Sequence, residues 1–361
     1  MIAAVSVSQP GSPNQFVALA ALRGVAALVV VQWHGQIFLG GKILPAGYLA
    51  VDFFFLLSGW VLAHAYDRRL ASELSALAFM RLRLIRLYPV YLLALALAVS
   101  IAAVGGRLDV PLAVASLAFL PDFWVAGFAW FIPPAWSLAA ELVANLPFAV
   151  FHRRLTTGVL VAIVGIAFVA LTFTSLAFGS LDAGWGGSYL PMFSRVFFSF
   201  FLGVLLYRHR QQLTQYAPPW ATWPSIVALL GLLAIPGFQH ESSRDLLIVC
   251  IGLPALLLFA SSAVPDARTT AIATMLGTMS YPLYLLHAPL LDAVNVLLLR
   301  PLTGGTLESA PWALAAAFLV GLVVIALLVD QYFDVPIRRW LTSRGNRAAI
   351  PSPLPESGAA R

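Results

Sequence analysis

Residues 157–178 read TGVLVAIVGIAFVALTFTSLAF, a run of 22 residues without a charged side chain. An α-helix needs about 20 apolar residues to cross the hydrocarbon core of a bilayer, so this run predicts a membrane-spanning helix. The rest of the chain has the same character. Of its 361 residues, 61% are hydrophobic and only 10% are charged, whereas about 25% are charged in an ordinary soluble domain. This composition excludes a soluble enzyme, a disordered chain and a coiled coil.

Similar apolar runs recur along the chain and leave no room for a sizeable soluble domain. They predict an all-α fold, a polytopic membrane helix bundle of about ten transmembrane helices. The predicted spans are 16–38, 47–65, 82–104, 136–151, 157–178, 190–207, 223–238, 245–262, 271–298 and 312–332.

The basic residues predict the orientation of this bundle. With the N-terminus in the cytoplasm, the cytoplasmic segments hold 15 of the 21 Lys and Arg residues and the opposite side holds four. Because cytoplasmic loops carry the excess of Lys and Arg, both termini are predicted to be cytoplasmic. The net charge of +6 therefore indicates topology, and we expect no nucleic-acid partner.

Three regions are predicted: a cytoplasmic N-terminal segment (1–15), a membrane domain (16–340) and a flexible cytoplasmic tail (341–361). The longest connection, about 105–135, is either an interfacial connector or a re-entrant segment that covers a site. Cys250 is the single cysteine, which excludes a disulfide framework and a Cys-based zinc site.

A few ionisable residues lie inside predicted spans, where an unpaired charge costs several kcal/mol. They are Arg23, His34, Asp52, Glu141, Arg195, His287 and Asp292. Arg23 and His34 are eleven positions apart on one helix, which places them on the same face about 16 Å apart along the axis. Each also has a structural interpretation, as a helix–helix salt bridge or a core histidine.

His34, Asp52, Glu141 and His287 fall at comparable depths on four different spans. Because isolated charges are costly in lipid, we expect these four groups to face one shared polar cavity. Two histidines and two carboxylates in such a cavity suit general acid–base chemistry. Their dispersed positions have no recognisable metal-ligand spacing, so we predict no metal site.

Arg81, Arg83 and Arg86 form a dense basic cluster immediately before Tyr88-Pro89, at the predicted cytoplasmic end of a span. Flanking positive charge is one explanation. The other is binding of a phosphorylated donor from the cytoplasm, because the guanidinium group suits bidentate phosphate recognition.

Five segments in order resemble the acyltransferase-3 family of integral membrane acyltransferases. They are Leu22–His34, Gly47–Gly59, Arg81–Pro89, Trp136–Glu141 and Ser280–Pro289. The first is similar to the family's Arg-ten-residues-His motif, and the third contains its Arg-x-Arg motif. The resemblance covers nearly the whole chain. Asp334-Val335-Pro336 stands where the family commonly has a Glu-x-Pro element.

The resemblance implies an enzyme of the bacterial inner membrane that transfers an acyl group, most often acetyl, from acyl-coenzyme A to a hydroxyl of a carbohydrate or lipid-linked glycan. Acyl-CoA is then a substrate, and no tightly bound cofactor is expected. Arg81, Arg83 and Arg86, with Arg23, would hold the phosphates of the donor. The thioester would lie near His34, so we expect the imidazole and the guanidinium groups to bound one continuous crevice.

His34 would act either as general base or as an acyl carrier. Asp52 or Glu141 would orient its imidazole, by the logic of a catalytic triad. His287 would polarise the thioester carbonyl or simply pack, and Arg195 would either bind the acceptor or neutralise a carboxylate. The alternative function is a transporter or flippase for a glycan or lipid-linked substrate, since polar groups and helix-breaking residues occur there too.

Overall fold

The computed structural model describes residues 16–36, 43–121, 130–183, 189–213, 220–237, 241–299, 301 and 312–347. Within these ranges every regular element is a helix, which confirms the all-helical bundle. The predicted segment 1–15 and residues 348–361 of the predicted tail lie outside the described residues. The last helix continues through residues 341–347 of the predicted tail.

The helices are numbered here in chain order. They are α1 (Val17–His34), α2 (Ala50–Ser72), α3 (Ala76–Val104), α4 (Val110–Ser116), α5 (Ala135–Val150), α6 (Thr157–Phe178), α7 (Tyr189–Arg208), α8 (Thr222–Ala234), α9 (Glu241–Ser261), α10 (Ala267–Leu299) and α11, which joins Trp312–Val329, a π-helical turn at Asp330–Asp334, and Val335–Arg347.

Several helices begin at a side chain that accepts a hydrogen bond from an orphan backbone N–H group. Ser75 caps α3, Asp109 caps α4 and Asp266 caps α10. The bond from the Thr269 N–H group, 2.9 Å long, is also what lowers the pKa of the Asp266 carboxyl. At the other end of a helix, Gly179 adopts φ +78° directly after α6, a conformation that favours glycine.

A described helix lies in each of the ten predicted spans. Eight of these helices are long and apolar enough to cross a membrane. The other two are shorter, with 16 residues in α5 and 13 in α8. At 1.5 Å per residue, α8 extends only about 20 Å and falls short of the hydrocarbon core. The number of full spans and the orientation of the bundle therefore stay predictions.

Helix α1 lies at the centre of the bundle and packs closely along α10. A Cβ atom on Gly24 would lie 2.5 Å from both the Cβ atom and the carbonyl oxygen of Leu276, so the two backbones approach as only glycine permits. Small residues allow this kind of contact between membrane helices. Farther along, Gly35, the residue directly after α1, lies against Leu291 of α10. The contacts advance in the same direction on both helices, so α1 and α10 run parallel.

A second close contact joins α2 to α7. A Cβ atom on Gly59 would overlap the carbonyl oxygen of Phe200. By contrast, α6 and α11 expose most of their aliphatic side chains, as expected for helices that face lipid. The polar residues discussed below lie on the helices of the interior.

The long connection after α3 folds back along that helix. The hydroxyl group of Tyr91 donates to the carbonyl oxygen of Ser116 over 2.6 Å, and the Tyr88 hydroxyl donates to Leu117 over the same distance. Phe119 stacks on the Tyr91 ring with centroids 4.0 Å apart. Tyr88 lies 16 residues before the end of α3, or about 24 Å of helix. Of the two alternatives, the structure therefore favours a re-entrant segment; residues 122–129 lie outside the described ranges.

We expect Gly59→Ala to lower the thermal unfolding midpoint of the detergent-solubilised protein, because the added methyl group would meet backbone that cannot rotate away. Overpacking of this kind costs about 1–3 kcal/mol. Gly165→Ala in α6 is the matched control, since a Cβ atom there meets nothing within 4 Å. Equal midpoints for the two variants would show that α2 and α7 do not approach as closely as described.

Candidate active site

The two histidines of the predicted site contact each other. His34 is the last residue of α1, and His287 lies on α10. The His287 Nε2 atom is 3.2 Å from the His34 Nδ1 atom, and the ring centroids are 5.0 Å apart. His287 is fully buried, whereas the His34 side chain is exposed at the end of its helix. The parallel packing of α1 and α10 thus brings together two residues 253 positions apart in the sequence.

The neighbouring carbonyl groups decide which nitrogen atoms of the neutral pair carry protons. The carbonyl oxygen of Leu283 lies 3.3 Å from His287 Nδ1 and can only accept, so Nδ1 of His287 is protonated. Its Nε2 atom then accepts from His34 Nδ1–H, which is also 3.0 Å from the carbonyl oxygen of Val30. In this tautomer the lone pair of His34 is on Nε2, available to take a proton or to attack a carbon atom.

A cavity of about 170 Å³ lies deeper in the bundle, between α1, α2, α3, α5 and α10. It is lined by Arg23, Arg83, Arg86 and Glu141 together with hydroxyl-bearing and apolar side chains. Helical periodicity explains part of this arrangement, because Arg83 and Arg86 are three residues apart and share a face of α3.

Two of the three arginines in this cavity are paired with carboxylates. Arg83 forms an ion pair with Glu141, which also accepts a 2.5 Å hydrogen bond from Ser58. Arg86 Nη1 is 3.0 Å from the buried carboxylate of Asp334, which also binds Arg338. The cavity lining itself carries three arginines and one glutamate, so its net charge is positive.

Arg23 is bonded differently. Its Nε atom donates to the Ser280 hydroxyl over 2.9 Å, and its Nη2 atom donates to the Gly277 carbonyl oxygen over 2.6 Å. Both acceptors are neutral, and the described part of the chain contains no carboxylate hydrogen-bonded to Arg23. This guanidinium group is the best placed of the three to attract an added anion.

Arg81 does not join the cavity. Its side chain is exposed, and it is absent from the residues that line the cavity. Two helical steps turn the chain by about 200°, so Arg81 and Arg83 point to opposite sides of α3. The predicted cluster of Arg81, Arg83 and Arg86 is therefore corrected to Arg83 and Arg86, joined by Arg23 from α1.

The predicted cavity shared by His34, Asp52, Glu141 and His287 is also corrected. Among the described residues, only Glu141 of these four lines the cavity with the arginines. Tyr284 separates the two sites, because it lines the cavity while its ring lies 6.0 Å from the His287 ring, edge to face. Neither His34 nor His287 lines this cavity, and Tyr284 is the lining residue that contacts His287.

Asp52 is bound to Arg195 and not to the imidazole. Arg195 Nη2 is 2.6 Å from Asp52 Oδ2, and Nε is 3.2 Å from both carboxylate oxygens. The guanidinium group also donates to the backbone carbonyls of Tyr48 and Ala183, and both charged side chains are buried. Arg195 therefore neutralises a carboxylate, one of its two predicted roles. Neither Asp52 nor Glu141 hydrogen-bonds His34 in this structure; their carboxylates bind Arg195 and Arg83 instead.

A further network lies beside this ion pair. The Tyr48 hydroxyl donates to Asp245 over 2.6 Å, and Arg244 donates to both the Tyr48 hydroxyl and Asp245. Asp245 also accepts from the Leu181 N–H group over 2.7 Å, which ties the segment after α6 to α9. These buried groups satisfy one another and hold the loops around the Asp52–Arg195 pair.

Sequence patterns did not single out Asp182 or Tyr284. Asp182 interacts electrostatically with both His34 and Arg195. It follows α6 in a loop, where an acidic residue is common and gives no functional signal. Tyr284 had a signal, because it precedes His287 by three residues and so shares its helix face. The described residues contain no group of three or more His, Cys, Asp or Glu arranged to hold a metal ion.

Comparison with known proteins places this chain in a family. Residues 16–330 match the family model described as "Acyltransferase domain". The chain is 26% identical to "Acyltransferase MdmB" of Streptomyces mycarofaciens over 93% of this chain and 95% of that protein. It is 37% identical to "Protein 2 in picA locus" of Rhizobium radiobacter over 43% of this chain and 92% of that protein. No solved structure matches the chain.

We expect Asp52→Ala to destabilise the protein strongly, because it leaves the buried Arg195 charge unpaired. Loss of one partner of a buried ion pair costs about 3–5 kcal/mol. The double variant Asp52→Leu/Arg195→Met removes both charges and should be more stable than the single variant. Thermal midpoints and the monodisperse fraction in detergent measure this, and a double variant less stable than Asp52→Ala would contradict it.

Proposed function

The chain belongs to the acyltransferase-3 family, and on that premise we propose that it transfers an acyl group from acyl-coenzyme A to a hydroxyl group of a carbohydrate or glycan precursor. One observation carries the proposal: His34, whose Nε2 lone pair is available, contacts His287, and the His287 ring in turn meets Tyr284, which lines a positively charged cavity. We place the protein in the bacterial inner membrane, with lipid around its apolar helices.

The donor is proposed from the charge of the cavity. Coenzyme A carries phosphate groups at one end and the acyl thioester at the other. Arginine suits the phosphate end, because its planar guanidinium group binds two oxygens at once. Arg23 is the main candidate, since its present acceptors are neutral. Arg83 and Arg86 add positive charge, but Glu141 and Asp334 already hold them in place.

The length of α1 supports the same orientation of the donor. Arg23 and His34 are separated by eleven residues, or about 16 Å along the helix axis. An extended pantetheine arm is of that order. With phosphates near Arg23, the thioester would reach the end of the cavity near His34. Acetyl is the acyl group we propose, as the family implies.

His34 is proposed as the group that acts on the reacting atoms. As a general base, its Nε2 atom would take the proton of the acceptor hydroxyl while the hydroxyl oxygen attacks the thioester carbon. As an acyl carrier, the same atom would attack the carbon itself. Both mechanisms need the tautomer that the Val30 and Leu283 carbonyl groups favour. His287 is then a positioning residue, because it accepts the Nδ1–H bond of His34.

The acceptor is proposed to approach from the side of the bundle where His34 is exposed, at the end of α1 opposite the predicted cytoplasmic face. Carbohydrate hydroxyl groups of surface or lipid-linked glycans suit this position. The relative named as an acyltransferase aligns with 93% of this chain over 95% of its own length, which supports the proposed acyl transfer.

We expect His34→Ala to abolish release of coenzyme A from acetyl-CoA in the presence of a hydroxylated acceptor, because the variant lacks the Nε2 lone pair of His34 that acts on the reacting atoms. The variant should still be monodisperse in detergent. His209→Ala, in the turn after α7, is the matched control and should keep full activity. An active His34→Ala enzyme would end the assignment of His34 as base or acyl carrier.

We expect Arg23→Gln to raise the KM for acetyl-CoA about tenfold or more, since a charge-assisted hydrogen bond contributes about 1.5–3 kcal/mol. Arg69→Gln is the control, because Arg69 pairs with Glu73, lies over the Tyr66 ring and does not line the cavity. Arg81→Gln should resemble this control, as Arg81 lies outside the cavity. If Arg81→Gln raised KM as much as Arg23→Gln, the donor phosphates would have to bind on the exposed face of α3.

A further inference from the structure

The end of the cavity nearest the histidines is closed by two hydroxyl groups. The Tyr284 hydroxyl lies 2.6 Å from the Ser137 hydroxyl oxygen, and both side chains are buried and line the cavity. The Ser137 hydroxyl is 3.0 Å from the Pro134 carbonyl oxygen, which is 3.3 Å from the Tyr284 hydroxyl. Ser137 lies in the first turn of α5, so this contact joins α5 to α10.

Each hydroxyl group has one proton, and the Pro134 carbonyl can only accept. The shorter distances are satisfied when Ser137 donates to Pro134 and Tyr284 donates to Ser137. In that arrangement the Tyr284 hydroxyl is the first donor of this series of hydrogen bonds and accepts no bond within it. The Tyr284 O–H group can turn to donate to another acceptor while the Ser137–Pro134 bond remains, so the exchange leaves no buried donor unpaired.

The Tyr284 ring is fixed in position by aromatic neighbours. It meets Phe54 edge to face at 5.4 Å and His287 at 6.0 Å. His287 in turn contacts His34. A carbonyl group that entered the end of the cavity would therefore meet the Tyr284 hydroxyl beside the histidine pair.

We propose that the Tyr284 hydroxyl is a catalytic hydrogen-bond donor that exchanges Ser137 for the thioester carbonyl oxygen of the bound acyl donor. This assignment rests on the proposed acyl transfer and adds a residue to it. The charge that develops on the carbonyl oxygen would be stabilised there, beside the buried side chains of Ser137 and Tyr284. A preorganised donor of this kind contributes most in such surroundings.

In the general-base form of the reaction, the hydroxyl oxygen of the acceptor forms a bond to the thioester carbon as His34 Nε2 takes the hydroxyl proton. The π electrons of the carbonyl move to its oxygen, which accepts the hydrogen bond from Tyr284. The C=O bond then re-forms, the carbon–sulfur bond breaks, and the sulfur takes the proton from His34. The products are the ester and coenzyme A, and Tyr284 keeps its own proton throughout.

The test is Tyr284→Phe, which removes one oxygen atom and keeps the ring against Phe54 and His287. Loss of one such donor lowers kcat by about 10²–10³-fold, so we expect kcat for coenzyme A release to fall about a hundredfold or more with KM for acetyl-CoA nearly unchanged. Tyr91→Phe is the matched control, because Tyr91 is buried, donates to the Ser116 carbonyl and lies outside the cavity. It should keep the wild-type kcat.

The outcomes separate this inference from the function on which it rests. A wild-type protein that releases no coenzyme A would overturn the proposed function, and this inference with it. An active wild type with a Tyr284→Phe variant within threefold of its kcat would overturn the inference alone. So would a raised KM at constant kcat, which would make Tyr284 a packing residue for the donor.

If Tyr284→Phe fails to fold, 3-fluorotyrosine placed at position 284 supplies a second test. Fluorine makes the phenol a stronger hydrogen-bond donor and adds little volume. We then expect kcat to be retained or increased, and a hundredfold fall in kcat with a folded protein would contradict the assignment.

Discussion

The parallel contact between α1 and α10 is the constraint on which the site depends. Gly24 lets the two backbones approach so closely that their register is fixed. Arg23 then meets Gly277 and Ser280, and His34 meets His287 three turns farther along. The sequence offsets of these pairs lie between 253 and 257 residues. One helix pair therefore supplies both the anion-attracting group and the imidazole, at a separation that the helical rise sets.

The cost of burying charge explains why the remaining ionisable groups separate into pairs. Three carboxylates in and around the site each have an arginine partner: Asp52 has Arg195, Glu141 has Arg83 and Asp334 has Arg86. Pairing offsets desolvation only with good geometry and further hydrogen bonds, and Ser58 and the backbone carbonyls supply some of these. Arg23 departs from the pattern, and that departure leaves the cavity positive.

The partner of His34 is another histidine, which has a chemical consequence. A carboxylate would stabilise the imidazolium form, as the acid of a catalytic triad does. Neutral His287 instead selects a tautomer of His34 without adding a second charge to an apolar region. Because isolated charges in such a region are costly, a neutral partner suits an imidazole that must stay uncharged until it reacts.

The helical bundle and its family motifs could be predicted from the amino-acid sequence, because hydropathy and helical periodicity are local properties of about 20 residues. The same periodicity places Arg23 and His34 on one face of α1. Other features depend on which helices pack side by side. They are the partners of Asp52 and Glu141, the exposure of Arg81, the re-entrant segment that contacts α3 through Leu117, and the position of Tyr284. Those contacts join residues far apart in the chain, and no local pattern specifies them. The sequence therefore predicts that a buried charge has a partner, but only the packing of the helices determines which residue that partner is.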